Sequence, residues 1–347
     1  MRWLLHPASE FDRFVKIWDE TNAACQGLPF LRADSVRPLL REFGSGRELI
    51  AIGTDDARKS AMGLLAPKGR GLWETFQPSQ LPLGAWLVTP GLELEPVLAA
   101  LLMKLPGFAL AIGITQQDPI LLPRPTDTPR LQTLDYIQTA WVEVTGSFED
   151  YWNARGKNLR HNMRKQRSKL DADGIRTRLE VLRSPDEVGE ALVDYGILES
   201  AGWKAAKGTA IHPDNSQGRF YRTMLEAFCE QGAGRIYRYR FGDKVVAVDL
   251  CIEADDVLVI LKTTYDESNK TLSPAFLMRE DAFKPLFSEG RIARVEFYGK
   301  LMDWHTRWTD RARTLYHVNY YRWSWLAAVQ RAASRLRRQR NARSTAA

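Results

Sequence analysis

The sequence predicts a mixed α/β (α+β) protein of two tandem domains, each a twisted, mainly antiparallel sheet flanked by helices. Three observations carry this. The chain has 347 residues, too many for one ordinary core and suited to two domains of roughly 150–180 residues each. Both halves contain three short strand patterns separated by turn residues, which is how an antiparallel meander reads. Each meander is followed by a helical pattern and one more strand, so the same order of elements is met twice.

In the first half, amphipathic patterns predict helices near 8–24 and 34–43. Glu48-Leu49-Ile50-Ala51-Ile52, Ser60-Ala61-Met62-Gly63-Leu64-Leu65-Ala66 and Leu72-Trp73-Glu74-Thr75-Phe76 are three strands, with turns at Asp55-Asp56 and at 69–71. A helix at 94–104 and a strand at 108–114 follow. Residues 118–130 contain four prolines and read as a linker or crossover loop. In the second half, helices at 186–200 and 216–231 precede the alternating strand Arg235 to Phe241. Gly242-Asp243 turns into Val245 to Ile252, and Asp255-Asp256 turns into Val257 to Lys262. A loop at 265–273 leads to a helix that starts at Pro274, a favoured first-turn residue, and ends near Gly290. Arg294 to Tyr298 closes the unit. The expected boundaries are 1–145 for a first domain, 146–322 for a second, and 323–347 for a basic amphipathic tail.

Composition narrows the class. No stretch approaches the ~20 uncharged apolar residues of a membrane span, and Met1 to Pro7 lacks the apolar run of a signal peptide. Cys25, Cys229 and Cys251 are scattered and far from metal or disulfide spacing, which points to a reducing compartment, the cytoplasm, and to no metal site. The net charge of +7 is uneven: residues 311–347 hold nine Lys/Arg and no acid, and residues 155–169 hold seven and none. Basic segments of this kind meet phosphates, on a cofactor, a lipid headgroup or a nucleic acid.

Two helical patterns carry these charges. Over 148–171, Phe148, Trp152, Leu159, Met163 and Leu170 form a narrow apolar stripe, with Arg155, Lys157, Arg160, Arg164, Lys165, Arg167 and Lys169 around it. This is either a solvated helix between domains or an anion-binding ridge. After residue 320, Tyr321, Trp325, Val329, Ala332 and Leu336 share one helical face, opposite Arg331, Arg335 and Arg338. That composition suits a helix lying on an anionic membrane surface at the inner membrane, and equally a docked terminal helix with a basic tail.

The second half resembles a known family. The carrying residues are Lys157-Asn158-Leu159-Arg160-His161-Asn162-Met163-Arg164-Lys165, Trp203-Lys204, Arg219-Phe220-Tyr221 and Lys262-Thr263-Thr264-Tyr265-Asp266. Ser273-Pro274-Ala275 and Tyr298-Gly299 with Trp304-His305 and Trp308 complete the ordered set. It is similar to the acetyltransferase-like proteins of the GNAT superfamily associated with bacterial cellulose biosynthesis, relatives of the Fem-type aminoacyl transferases. The family usually has Gly where Ala275 stands, and often Tyr-Lys in place of Trp304-His305. The resemblance implies tandem GNAT-like domains and a transferase of cell-envelope biosynthesis. Such an enzyme moves an acyl group from acyl-CoA or an acyl carrier protein to an amine of a sugar, lipid or amino-acid acceptor. No permanently bound cofactor is expected, since the donor is itself a substrate. Two other readings stand beside it. One is a Fem-like transferase using aminoacyl-tRNA, the only case in which nucleic acid would be a partner. The other is a non-catalytic protein that binds a membrane or nucleic acid.

Direct transfer needs a cradle for the donor phosphates, a group to polarise the thioester carbonyl, and a proton path. No GxSxG or reactive Cys offers a covalent nucleophile. The donor cradle is placed at Lys270, Ser273 and Ala275, where a helix begins after the third strand of the second meander; backbone N–H groups there bind phosphate. An ordinary Ser-Pro helix start explains the same residues. Asp249 and His305 are candidates for the base, Lys262 or a strand N–H for the oxyanion donor, and Tyr265 for returning a proton to the thiolate. All four are expected in one cleft. An ion pair of Asp249 with Lys262 is the competing reading of both. Trp203, Lys204, Asp266 and Trp304 are candidates for the acceptor wall, with a turn-forming role for Asp266 as its alternative.

Overall fold

The computed structural model describes residues 1–25, 27–55, 60–201 and 211–333. The strands in chain order are β1 (Arg2–Pro7), β2 (Leu49–Thr54), β3 (Ser60–Gly69), β4 (Leu72–Thr75), β5 (Trp86–Val88), β6 (Ala111–Gln117) and β7 (Leu131–Glu143). Then come β8 (Thr177–Leu182), β9 (Gly234–Phe241), β10 (Lys244–Ala254), β11 (Val257–Tyr265), β12 (Arg294–Glu296) and β13 (Ala312–Tyr321). The helices are α1 (Val15–Cys25), α2 (Ala33–Phe43), α3 (Leu94–Leu102), α4 (Phe148–Asn153) and α5 (Lys157–Ala172). They continue with α6 (Pro185–Ala201), α7 (Ser216–Glu230), α8 (Pro274–Glu289) and α9 (Asp303–Thr306). Among the described residues no helix is long and apolar enough to cross a membrane.

The compact units interleave along the chain rather than breaking at 145/146 and 322/323. One gathers residues 1–26, 44–137 and 314–347; the other gathers 27–43 and 138–313. Pairing is the reason. Tyr316 to Tyr321 of β13 pair with β6 in the first unit, whereas α2 lies against α7 in the second, with Phe43 edge-on to Phe220.

Each unit contains its meander. In the first, β2, β3 and β4 pair antiparallel in order, and β4 runs parallel to β6 over Leu72–Glu74. In the second, β9, β10 and β11 pair antiparallel and β11 runs parallel to β12 over Val257–Val259. The turn positions explain the hairpins. Gly242 and Asp255 occupy the first position of two-residue loops with φ of 57° and 49°, the left-handed backbone that such turns require. The repeated order of meander, helix and parallel strand matches the expected duplication.

The differences have local causes. The apolar stripe of 148–171 is cut at Gly156 into α4 and α5, with Ser147 capping the first by accepting from the Asp150 N–H. Strands β1, β5, β7, β8 and β13 were not expected; β1 and β8 add to meander edges, and short flanking strands carry little periodicity of their own. Tyr321 ends β13, so it is not part of the terminal helical face. Residues 324–333 are helical, while Arg335, Leu336 and Arg338 lie outside the described residues.

Candidate active site

In the second unit α8 crosses one face of the meander and buries Leu277, Met278, Ala282, Phe283 and Leu286 against Tyr237, Tyr239, Val246, Leu258 and Ile260. Helices α6 and α7 cover the opposite face. Among the described residues β11 pairs with β12 only over Val257–Val259, so the parallel ladder stops three residues into a nine-residue strand. A bulge at Leu261 shifts the register, since Leu250 pairs with Lys262 and Cys251 with Ile260. Bulges re-aim the side chains that follow. Thr263 and Tyr265 therefore continue on the α8 face, and Lys262 points to the other.

A cleft of about 370 Å³ opens at this place, lined by Thr263, Tyr265, Lys270, Ser273, Ala275, Phe276, Arg279, Trp304 and Arg307. Its lining holds three cations and no carboxylate. In the first unit the same place is closed. Strand β4 ends one residue beyond its parallel pairing, Thr75 bonds Thr115 at 2.5 Å between hydroxyls, and Gly84 packs against the Thr115 carbonyl with no room for a Cβ.

The start of α8 forms one wall. Ser273 adopts a left-handed φ of 49° and makes no side-chain cap to the helix. Instead its hydroxyl accepts from Gln166 Nε2 of α5 at 3.1 Å. Capping by the Ser273 side chain is thus replaced by a tie to α5. Pro274 has no N–H, and Ala275 supplies the first one of the helix, where no carbonyl lies upstream to pair with it. The Ala275 side chain is buried and leaves backbone approach open from the cleft.

Arg279, one turn further on, is the residue that sequence reasoning missed. It is 2% exposed. Its Nη2 donates to Asp249 at 3.1 Å and to Thr263 Oγ1 at 3.1 Å, and its guanidinium lies 4.7 Å from the Trp304 ring centroid. Its Nε has no hydrogen-bond partner. A signal existed, since Arg279 falls at an i+4 position from Ala275 on the buried face of a helix, where a charge demands a partner.

The other expected residues divide. Asp249 is held by Arg279 rather than by Lys262, because the bulge sends Lys262 to the α6/α7 face. There Lys262 Nζ meets Glu199 at 3.6 Å and Gln217 at 3.3 Å, over the rings of Tyr195 and Tyr221. His305 is buried behind Trp304, stacked at 3.5 Å between centroids, and its Nδ1 accepts from the Met302 N–H. Burial, and then the Arg279 charge, lower its pKa to about 4. Only Tyr265 of the four lines the cleft. Burial and then the Glu267 charge raise its pKa, so the phenol stays protonated. Asp266 is turned away as the cap of residues 267–272, accepting from Ser268 and Asn269 and paired with Lys244. Burial opposes its charge, but these donors outweigh it and hold the carboxyl well below the usual range. Trp203 and Lys204 lie outside the described residues. The cysteines offer no nucleophile: burial pushes the Cys229 thiol up to about 11 and raises that of Cys251 as well.

Residues 157–308 match the family model of the acetyltransferase (GNAT) domain. No curated protein sequence matches the chain. Among solved structures it is similar to the C-terminal domain of a putative lysylphosphatidylglycerol synthetase from Agrobacterium fabrum, at 13% identity over 89% of this chain and 92% of that one, with a TM-score of 0.54. It is also similar to FemX, at 12% identity over 92% and 97% of the two chains with a TM-score of 0.56. A conserved protein of unknown function from Bacteroides thetaiotaomicron aligns at 10% identity over 88% and 97%, with a TM-score of 0.56. At these identities the likeness is one of fold.

Proposed function

We propose, from the premise that residues 157–308 form a GNAT acetyltransferase domain, that this protein transfers an acyl group from a phosphopantetheine thioester, acyl-CoA or an acyl carrier protein, to an amine. The observation that carries the reading is the acid-free, cation-lined cleft between the start of α8 and the part of β11 beyond its parallel pairing. Phosphate would bind at the Ala275 N–H with Lys270, where the dipole of a 16-residue helix also favours an anion. The thioester arm would then run along β11 beyond its parallel pairing, with the Arg279 guanidinium, which lines the cleft, as donor to the carbonyl. As the amine attacks, the new C–N bond forms and the C–S bond breaks. The carbonyl oxygen gathers charge that fixed donors stabilise. Tyr265 would give its proton to the leaving thiolate. No His or carboxylate lines the cleft, so the amine proton leaves to solvent.

A second reading, aminoacyl-tRNA as donor, is favoured by one observation: α5 exposes Lys157, Arg164, Lys165 and Lys169, and tRNA phosphates would bind such a row in a strongly salt-dependent way. Calorimetry with acetyl-CoA and CoA separates the two. Saturable binding by the wild type, lost in Ala275→Trp, which fills the approach to the helix start, supports the thioester donor. Equal affinity in that variant would overturn the cradle. If neither acetyl-CoA nor CoA binds and charged tRNA does, the second reading replaces the first.

A further inference from the structure

The first unit carries a cluster of large apolar side chains in solvent. Met103, Phe108, Trp323, Trp325 and Val329 are between 41% and 66% exposed, and they are joined. Phe108 lies 5.9 Å from Trp323, and Trp323 stacks on Trp325 at 5.9 Å and 13°. Arg322 binds the cluster together. Its guanidinium sits 4.3 Å from the Phe108 centroid and Nη1 lies 3.2 Å from Met103 Sδ. Its Nε donates to the Ala109 carbonyl at 2.6 Å. Val329 follows Trp325 by one helical turn. Phe108 itself has a left-handed φ of 53°, directly after Gly107 at 73°. A bulky residue in that conformation is an outlier that its surroundings must hold in place, and here it keeps the ring outward.

A contiguous apolar patch on a folded surface marks an interaction site. We propose that Met103, Phe108, Trp323, Trp325 and Val329 form a docking surface for an anionic lipid bilayer. Tryptophans and a phenylalanine beside arginines suit the headgroup boundary, where the rings enter the acyl edge and the cations remain among phosphates. The charge agrees in sign. Arg322 lies within the patch, Arg331 follows on the same terminal helix, and the sequence of 334–347 adds five arginines and no acid. Basic residues are attracted to an anionic leaflet, and the attraction falls with salt. A second copy of the chain is disfavoured as the occupant, because a stable interface takes about 20–30 residues a side. The surface differs from the one expected from sequence: the loop at 107–108 and Trp323 replace Tyr321, which is in a strand. The proposal is independent of the transfer chemistry.

The test uses the full chain and extruded vesicles of phosphatidylcholine with or without phosphatidylglycerol. The wild type should co-sediment with the anionic vesicles, with tryptophan emission shifted to the blue. Phe108→Ser combined with Trp325→Ser should weaken that partitioning at least about tenfold at unchanged thermal stability, since both side chains are exposed. Arg331→Glu should weaken it at low salt and less at high salt. Three outcomes overturn the proposal: no binding of wild type to anionic vesicles, undiminished binding by the double variant, or a dimer in sedimentation velocity that the double variant abolishes.

Discussion

Arg279 and Asp249 form a buried ion pair across the floor of the cleft, with Nη2 3.1 Å from Oδ2 and both side chains 2% exposed. One comes from α8 and the other from the middle of β10, so the pair couples the helix that would bind donor phosphate to the sheet beneath it. A carboxylate so engaged is a positioning group for Arg279, whose Nε makes no hydrogen bond among the described residues.

Breaking this pair from one side leaves a buried charge without its partner. Asp249→Asn should therefore destabilise the protein by about 3–5 kcal/mol, read as a lower urea midpoint. Adding Arg279→Met should recover part of the loss. A single variant within about 0.5 kcal/mol of wild type, the range of ordinary surface substitutions, would mean that the pair is not a structural tie.

His305 supplies a pH signature. Its folded pKa is near 4 against 6.5 for the free side chain, so the unfolded chain takes up a proton before the folded one does. Stability should fall as pH drops from about 6.5 to about 4 and then level off with respect to this group. His305→Phe should remove that part of the slope, which urea titrations at pH 7 and pH 4.5 would detect. An unchanged difference between the two pH values would show that other groups carry it.

Lys262 and Tyr265 should separate kinetically, because they leave β11 on opposite faces. With acetyl-CoA as donor and a panel of primary amines, Tyr265→Phe should lower turnover by about 100-fold, as for loss of a positioned proton donor, with little change in donor affinity. Lys262→Met should leave CoA affinity within about twofold, the effect of about 0.4 kcal/mol, and leave turnover near that of wild type. A CoA affinity that collapses in Lys262→Met would place Lys262 in the donor cleft after all.

Much of the architecture was legible in local sequence, for identifiable reasons. The meander at 235–264 alternates in pattern and is punctuated by Gly242-Asp243 and Asp255-Asp256, whose turn chemistry acts within four residues. Helix α8 begins at a proline and stops at Gly290, which takes the left-handed φ of 65° that ends helices. The shared position of Lys270, Ser273 and Ala275 was legible in the same way, at a helix start after a third strand, and all three line one cleft.

The grouping of charged residues was decided by tertiary structure. Asp249, Lys262 and His305 each read as a lone polar residue in an apolar setting, and such a residue needs a partner that local sequence does not name. One inserted residue at Leu261 sent Lys262 to Glu199 and left Asp249 to Arg279, thirty positions away. Stacking behind Trp304 took His305 out of the cleft. The sequence by itself determined the elements, their order and the turn residues, because those depend on neighbours within a few positions. The register of β11, the partners of its charges and the aromatic patch around Phe108 depend on packing between distant segments, and only the folded chain settles them.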